Sequence, residues 1–235
     1  MSKETKEILL QMRIPFLIVA IMWLVKIYEV FNNTRFTRWG IFPRESDGLI
    51  GILTGPFVHS NWQHLFANSL PLFMMMSIIL VFYKKVAAPT FFIVTFFTGF
   101  AVWLFARESY HVGASGVVYG LISFVAFSGL FRRNIKSIVL AMVMMVIYSS
   151  YFAGIVPTEE RISWESHLFG ALVGIVVAFV FKSIREEDEE IVEQNPWAGE
   201  QKAFFFPRDI FDKTKQQRYL EALAAQQAQQ RAEEE

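Results

Sequence analysis

Three short runs hold the side chains best suited to chemistry. His64-Leu-Phe-Ala-Asn68 carries an imidazole and a carboxamide four residues apart, Gly113-Ala-Ser115-Gly116 carries a hydroxyl between glycines, and His167-Leu-Phe-Gly170 carries a second imidazole. A serine hydroxyl becomes a nucleophile when a base within hydrogen-bond reach takes its proton, and the oxyanion that forms needs donors aimed at it. His167 is the candidate base for Ser115, while the Ser115 backbone N–H, His64 and the Asn68 amide are candidate oxyanion donors. These groups fill every role in acyl transfer except an acid that orients the base, and nucleophile-base geometry rather than triad membership defines such machinery. The chain has no Cys, which excludes disulfides, thiolate metal sites and thiol nucleophiles.

The elements that must position these groups are membrane spans. The 235 residues are 54% hydrophobic with 25 Phe and only 19% charge, a composition that suits lipid better than water as solvent. A bilayer core of ~30 Å needs about 20 apolar residues per helix, and six stretches approach this: residues 14–31, 65–83, 86–106, 112–131, 137–157 and, shorter, 168–181. In the first, Lys26 and Glu29 stand an i,i+3 step apart, which predicts snorkelling or pairing at the membrane rim. The expected fold is an all-α membrane protein, with an N-terminal segment over 1–13, a six-helix membrane domain over 14–182 and a polar tail over 183–235. The mixed charge of the first residues does not read as a removable signal peptide.

Charge sets the orientation. Lys3, Lys6, Arg13, Lys84, Lys85, Arg132, Arg133, Lys136, Lys182 and Arg185 fall on one side, against Arg35, Arg38, Arg44, Arg107 and Arg161 on the other. Ten against five places both termini in the cytoplasm by the positive-inside rule. A long first external loop, 32–61, then contains an apolar run, 49–58, that is too broken by Gly51, Gly55 and Pro56 to cross. Even-numbered spans run inward, so His64, Asn68, Ser115 and His167 all lie at one level in the outer half of the bilayer, where a strongly polar group implies function.

Glycine spacing predicts that two of these helices touch. Gly116 and Gly120 form one small-xxx-small ridge and Gly170 and Gly174 another, the second sharing a face with His167. Ser115 and His167 should therefore meet.

The three motifs, in this order and on these spans, resemble those of the rhomboid intramembrane serine proteases, over about residues 10 to 185. The resemblance implies a six-transmembrane-helix bundle with Ser115 as nucleophile, His167 as general base, His64 and Asn68 as oxyanion donors, Gly113 and Gly116 as supports and Tyr119 packing on the imidazole. It implies cleavage of single-span or few-span membrane proteins without cofactor, with substrate entering laterally beside span five. Many members carry a Trp-Arg pair before a Thr-x-x-Phe-x-His pattern; here Thr54, Phe57 and His59 stand in the pattern and Ile50 and Gly51 occupy the pair's place.

Other functions are weaker fits. A catalytically inactive relative that binds transmembrane helices for quality control is the nearest alternative, and a transporter would call for intramembrane carboxylates or paired charges. A metal site built from His59, His64, His111 and His167 lacks any His-Glu-x-x-His spacing, so no metal is expected. His59 and His111 read as loop or interface histidines. No basic stripe suggests nucleic acid, so the expected partners are the bilayer and transmembrane substrates, in the plasma membrane of a bacterium.

Overall fold

Helix starts in this chain are set by identifiable local chemistry. Asn61 is extended, and its side-chain oxygen accepts the His64 N–H at 2.8 Å, so α2 begins at Trp62 and runs to Phe82. Gly113 takes φ +104, a left-handed conformation that residues with a Cβ rarely adopt. The apolar run expected from residue 112 therefore turns before it coils, and α4 starts at Ser115 and ends at Arg132. The other helices are α1 (Arg13–Phe31), α3 (Ala87–Phe105), α5 (Ile135–Ile147), α6 (Trp164–Val180) and α7 (Lys215–Glu234). This computed structural model describes residue 5 and residues 9–133, 135–148, 154–155, 163–186 and 212–234. The later part of the expected span 137–157 falls mostly outside the described residues, as do residues 187–211 of the expected polar tail.

Four helical runs, Leu9–Phe31, Trp62–Phe82, Ala87–Phe105 and Ser115–Arg132, are long and apolar enough to cross a membrane. Ile135–Ile147 and Trp164–Val180 are shorter apolar helices. No strand forms among the described residues, apart from an isolated antiparallel bridge between Ile41 and His111. Phe92, Phe97 and Phe105 on α3 and Phe16 and Leu24 on α1 are exposed, whereas Thr90, Val94, Thr98 and Val102 of α3 turn inward. A helix apolar on its outer face and small or polar on its inner one is the pattern of an integral membrane protein.

At the centre lies α4, which packs most extensively on α6 and also meets α2, α3 and α5. A Cβ added to Gly170 would strike the Gly116 carbonyl, and one added to Gly174 would strike that of Gly120. Backbone therefore rests on backbone along two turns.

The first loop is held by charge and by backbone bonds. Glu29 is buried and accepts the Phe36 N–H at 2.6 Å and the Lys26 ammonium at 3.0 Å. Lys26 also donates to the carbonyls of His59 and Ser60, so the pair is a buried clamp rather than a snorkelling rim. Further along, Arg44 donates to the Ala106 carbonyl at 2.7 Å, the Trp103 indole donates to the Glu45 carbonyl, and Thr54 donates to the Trp39 carbonyl. Ile50 and Gly51 need supply no side-chain anchor, because Gly51 is pressed against the Gly40 backbone.

The chain divides into two compact units, Met1–Glu190 and Ile191–Glu235. In the second, Thr214 and Gln217 exchange hydrogen bonds in a capping box that starts α7, a helix with a largely exposed surface.

Candidate active site

Ser115 is the first residue of α4, where the leading N–H groups have no partner inside the helix. Its Oγ lies 2.9 Å from His167 Nε2. The two come from helices whose glycine ridges touch, so the short Ser-His distance follows from the backbone contact one turn further in. On the other edge of the imidazole, Nδ1 lies 2.8 Å from the Gly154 carbonyl oxygen. A carbonyl only accepts, which assigns the proton to Nδ1 and leaves Nε2 as the acceptor for the serine hydroxyl.

Tyr119 closes the face of this ring. Its centroid stacks 4.1 Å from that of His167 with planes 8° apart, one turn along α4 from Ser115. Gly154 sits where a Cβ would collide with the Tyr119 hydroxyl and come within 3.1 Å of His167 Nδ1. The stack and the carbonyl contact therefore require glycine at that position. Sequence reasoning did not single out Gly154, and no motif surrounds it; its contribution is a backbone oxygen, which side-chain patterns do not reveal.

The His64 ring stands over Gly113, whose hypothetical Cβ would lie 2.5 Å from His64 Cε1 and 2.7 Å from Nε2. Its Nδ1 is 3.2 Å from the Ser60 hydroxyl, which orients Nε2 toward the turn that leads into Ser115. Asn68 is buried and donates its amide to the His64 carbonyl at 2.8 Å, within α2. The structure thus brings Ser115, His167, Tyr119, Gly113 and His64 together directly, with Asn68 one turn further along α2 from His64.

Around the mouth of α6 a second polar group forms. His111 Nδ1 lies 2.6 Å from the Ser163 hydroxyl, which lies 2.6 Å from that of Ser166, and the Arg107 guanidinium pairs with the buried Glu165 at 3.3 Å. Burial pushes the His111 pKa down. These contacts pin the start of α6, and hence His167, to the segment that carries the Ile41–His111 bridge. His59, buried beside His64 at 5.1 Å between ring centroids, has its pKa lowered to about 3 by burial first and then by the charge of His64.

A Rhomboid domain matches residues 46–184, more than half of the chain and all of the site just described. The chain belongs to the rhomboid family. It is 31% identical over 179 residues to an uncharacterized protein of Mycobacterium tuberculosis, covering 70% of this chain and 72% of that one. An uncharacterized protein of Mycobacterium leprae is 31% identical over 189 residues, with 74% and 73% covered. A protein of Acanthamoeba polyphaga mimivirus that carries the rhomboid name is 28% identical over 159 residues, with 62% and 82% covered. As a rhomboid, the chain is an integral membrane protein, and the four long apolar helices accord with that.

Proposed function

We propose that this rhomboid is an intramembrane serine endopeptidase that hydrolyses peptide bonds in or near the transmembrane segments of other membrane proteins. The observation that carries the reading is the Ser115 Oγ to His167 Nε2 contact of 2.9 Å, with the tautomer needed for a base held by the Gly154 carbonyl. In the reaction, His167 Nε2 takes the Ser115 proton as Oγ attacks the scissile carbonyl carbon. The carbonyl oxygen becomes an oxyanion, facing the Ser115 N–H, His64 and the Asn68 amide, which has a second N–H beside the one given to the His64 backbone carbonyl. Collapse breaks the C–N bond, His167 returns the proton to the leaving amine, and an acyl-serine remains. Water, deprotonated by the same imidazole, then releases the carboxylate and regenerates Ser115. No metal or cofactor takes part.

On this reading six helices cross the membrane, α1 to α6, with both termini and the tail at the cytoplasmic face of a bacterial plasma membrane. The basic residues support that orientation: Lys84, Lys85, Arg132, Arg133 and Lys136 stand at the ends of α2, α3, α4 and α5 remote from Ser115. A fluorophosphonate probe tests the reading without knowledge of the substrate. It should label the protein and fail to label Ser115→Ala; an unlabelled wild-type protein would favour a helix-binding relative without peptidase activity.

A further inference from the structure

Glu165 is a buried carboxylate to which the peptidase reading gives no chemical part. It stands in the first turn of α6, two residues before His167. One oxygen, Oε1, pairs with Arg107 Nε at 3.3 Å. The other, Oε2, is enclosed and has no hydrogen-bond partner among the described residues. Enclosing an ionised oxygen without a donor costs stability. A role confined to holding α6 in place does not call for that cost, because a carboxamide of the same shape would also accept from Arg107.

The neighbours of Glu165 fix where its charge sits. Ser163 and Ser166 are held by the 2.6 Å contacts that run to His111, and a Cβ on Gly116 would come 3.1 Å from the Ser166 carbonyl oxygen. The first turn of α6 is thus pressed against the helix that carries Ser115. The two ends of the ion pair meet different surroundings: the Arg107 side chain is 39% exposed and that of Glu165 only 6%. Water and salt screen the guanidinium, whereas the carboxylate acts through a medium of low dielectric. The pair therefore presents a negative field to the interior, and that charge reaches both nearby imidazoles, His111 and His167.

The acid of a serine triad has two duties: it orients the imidazole, and it stabilises the imidazolium that forms as the base takes the serine proton. The Gly154 carbonyl performs the first as a neutral dipole. We propose, on the peptidase reading, that Glu165 performs the second through His167, as a positioning residue whose ionised carboxylate stabilises the protonated imidazole across one turn of α6. The proton moves from Ser115 Oγ to His167 Nε2 and back, and Glu165 transfers none. Side chains two residues apart on a helix do not face each other. The effect is that of a charge at a distance rather than a hydrogen bond, and smaller than that of an acid in contact with the ring.

Charge and shape are separated by two substitutions in the full-length protein. Glu165→Gln keeps the shape and removes the charge; Glu165→Asp keeps the charge and shortens the side chain. The rate at which a fluorophosphonate labels Ser115 reads the dyad without a substrate, and kcat and KM on a model transmembrane substrate read it in turnover, all per folded molecule. In Glu165→Gln the labelling rate and kcat should fall about tenfold, less than the ~10²–10³ lost with a direct oxyanion donor, and KM should stay unchanged. Glu165→Asp should retain more of both rates than Glu165→Gln, the reverse of what a side chain needed only for its shape would give. Glu165→Met, neutral and of similar length, makes the same comparison should the carboxamide variant not fold. Unchanged rates in the neutral variants, a raised KM at constant kcat, or a slower Glu165→Asp than Glu165→Gln would overturn the proposal while the peptidase reading stands. A wild-type protein that takes no label would overturn both.

Discussion

The Gly154 carbonyl oxygen lies 2.8 Å from His167 Nδ1, on the opposite side of the imidazole from Ser115. It takes the place of the orienting acid that the sequence lacks, holding the ring angle and the tautomer with a neutral dipole. Gly154→Ala should displace both Tyr119 and His167, because the added methyl collides with the tyrosine hydroxyl. A misplacement of about 1 Å costs on the order of 10² in turnover, so kcat on a model transmembrane substrate should fall by about that factor with the protein still folded. Unchanged turnover in this variant would remove Gly154 from the mechanism.

The contact between α4 and α6 gives a second prediction. Gly116→Val or Gly170→Val places a branched side chain where two backbones meet, and the helices must part. Proteolysis should be abolished and thermal stability in detergent lowered. Full activity in either variant would show that the ridge does not set the Ser115 to His167 distance.

Much of this site was legible because its chemistry lies in side chains on regular helices. The motif spacing placed Ser115 and His167 on helices with facing glycines, and the structure brings their reacting atoms together. Less legible were features whose cause is tertiary. Lys26 and Glu29 read from their spacing as a rim pair, but only the folded first loop supplies the His59 carbonyl and Phe36 N–H that make the pair a buried clamp. Asn68, read as an oxyanion donor, also gives one amide N–H to the His64 carbonyl of its own helix, a local bond that the motif spacing does not reveal. Gly154 left no trace because its part is played by a backbone oxygen.

That clamp is testable by stability. Glu29→Ala removes the carboxylate that pairs with Lys26 and leaves its ammonium, largely enclosed, with no other carboxylate paired to it among the described residues. Breaking a buried pair on one side costs about 3–5 kcal/mol, whereas Lys26→Met with Glu29→Leu should cost less than Glu29→Ala alone. Equal losses in a comparison of denaturation midpoints would argue that the loop is anchored elsewhere.

His59 makes stability depend on pH in a defined direction. Its folded pKa, about 3, lies below the ordinary value of 6.5, so the unfolded state binds the proton more readily. The contribution of neutral His59 is fully present above 6.5 and is lost as pH falls toward 3. Between pH 6.5 and 5 that amounts to about 2 kcal/mol. His59→Phe should flatten this part of the profile, measured as the unfolding midpoint at pH 7 and pH 5; an unaltered slope would show that other groups control it.

The pairing of Ser115 with His167 is the central claim, and a double-mutant comparison of proteolysis tests it most directly. Ser115→Ala and His167→Ala should each reduce cleavage of a model transmembrane substrate to background, and the double variant should lose no more than either alone, because nucleophile and base act as one unit. His64→Ala, which deletes one donor among several, should retain a measurable residue after a loss of ~10²–10³. Normal cleavage by Ser115→Ala in purified protein would contradict the account.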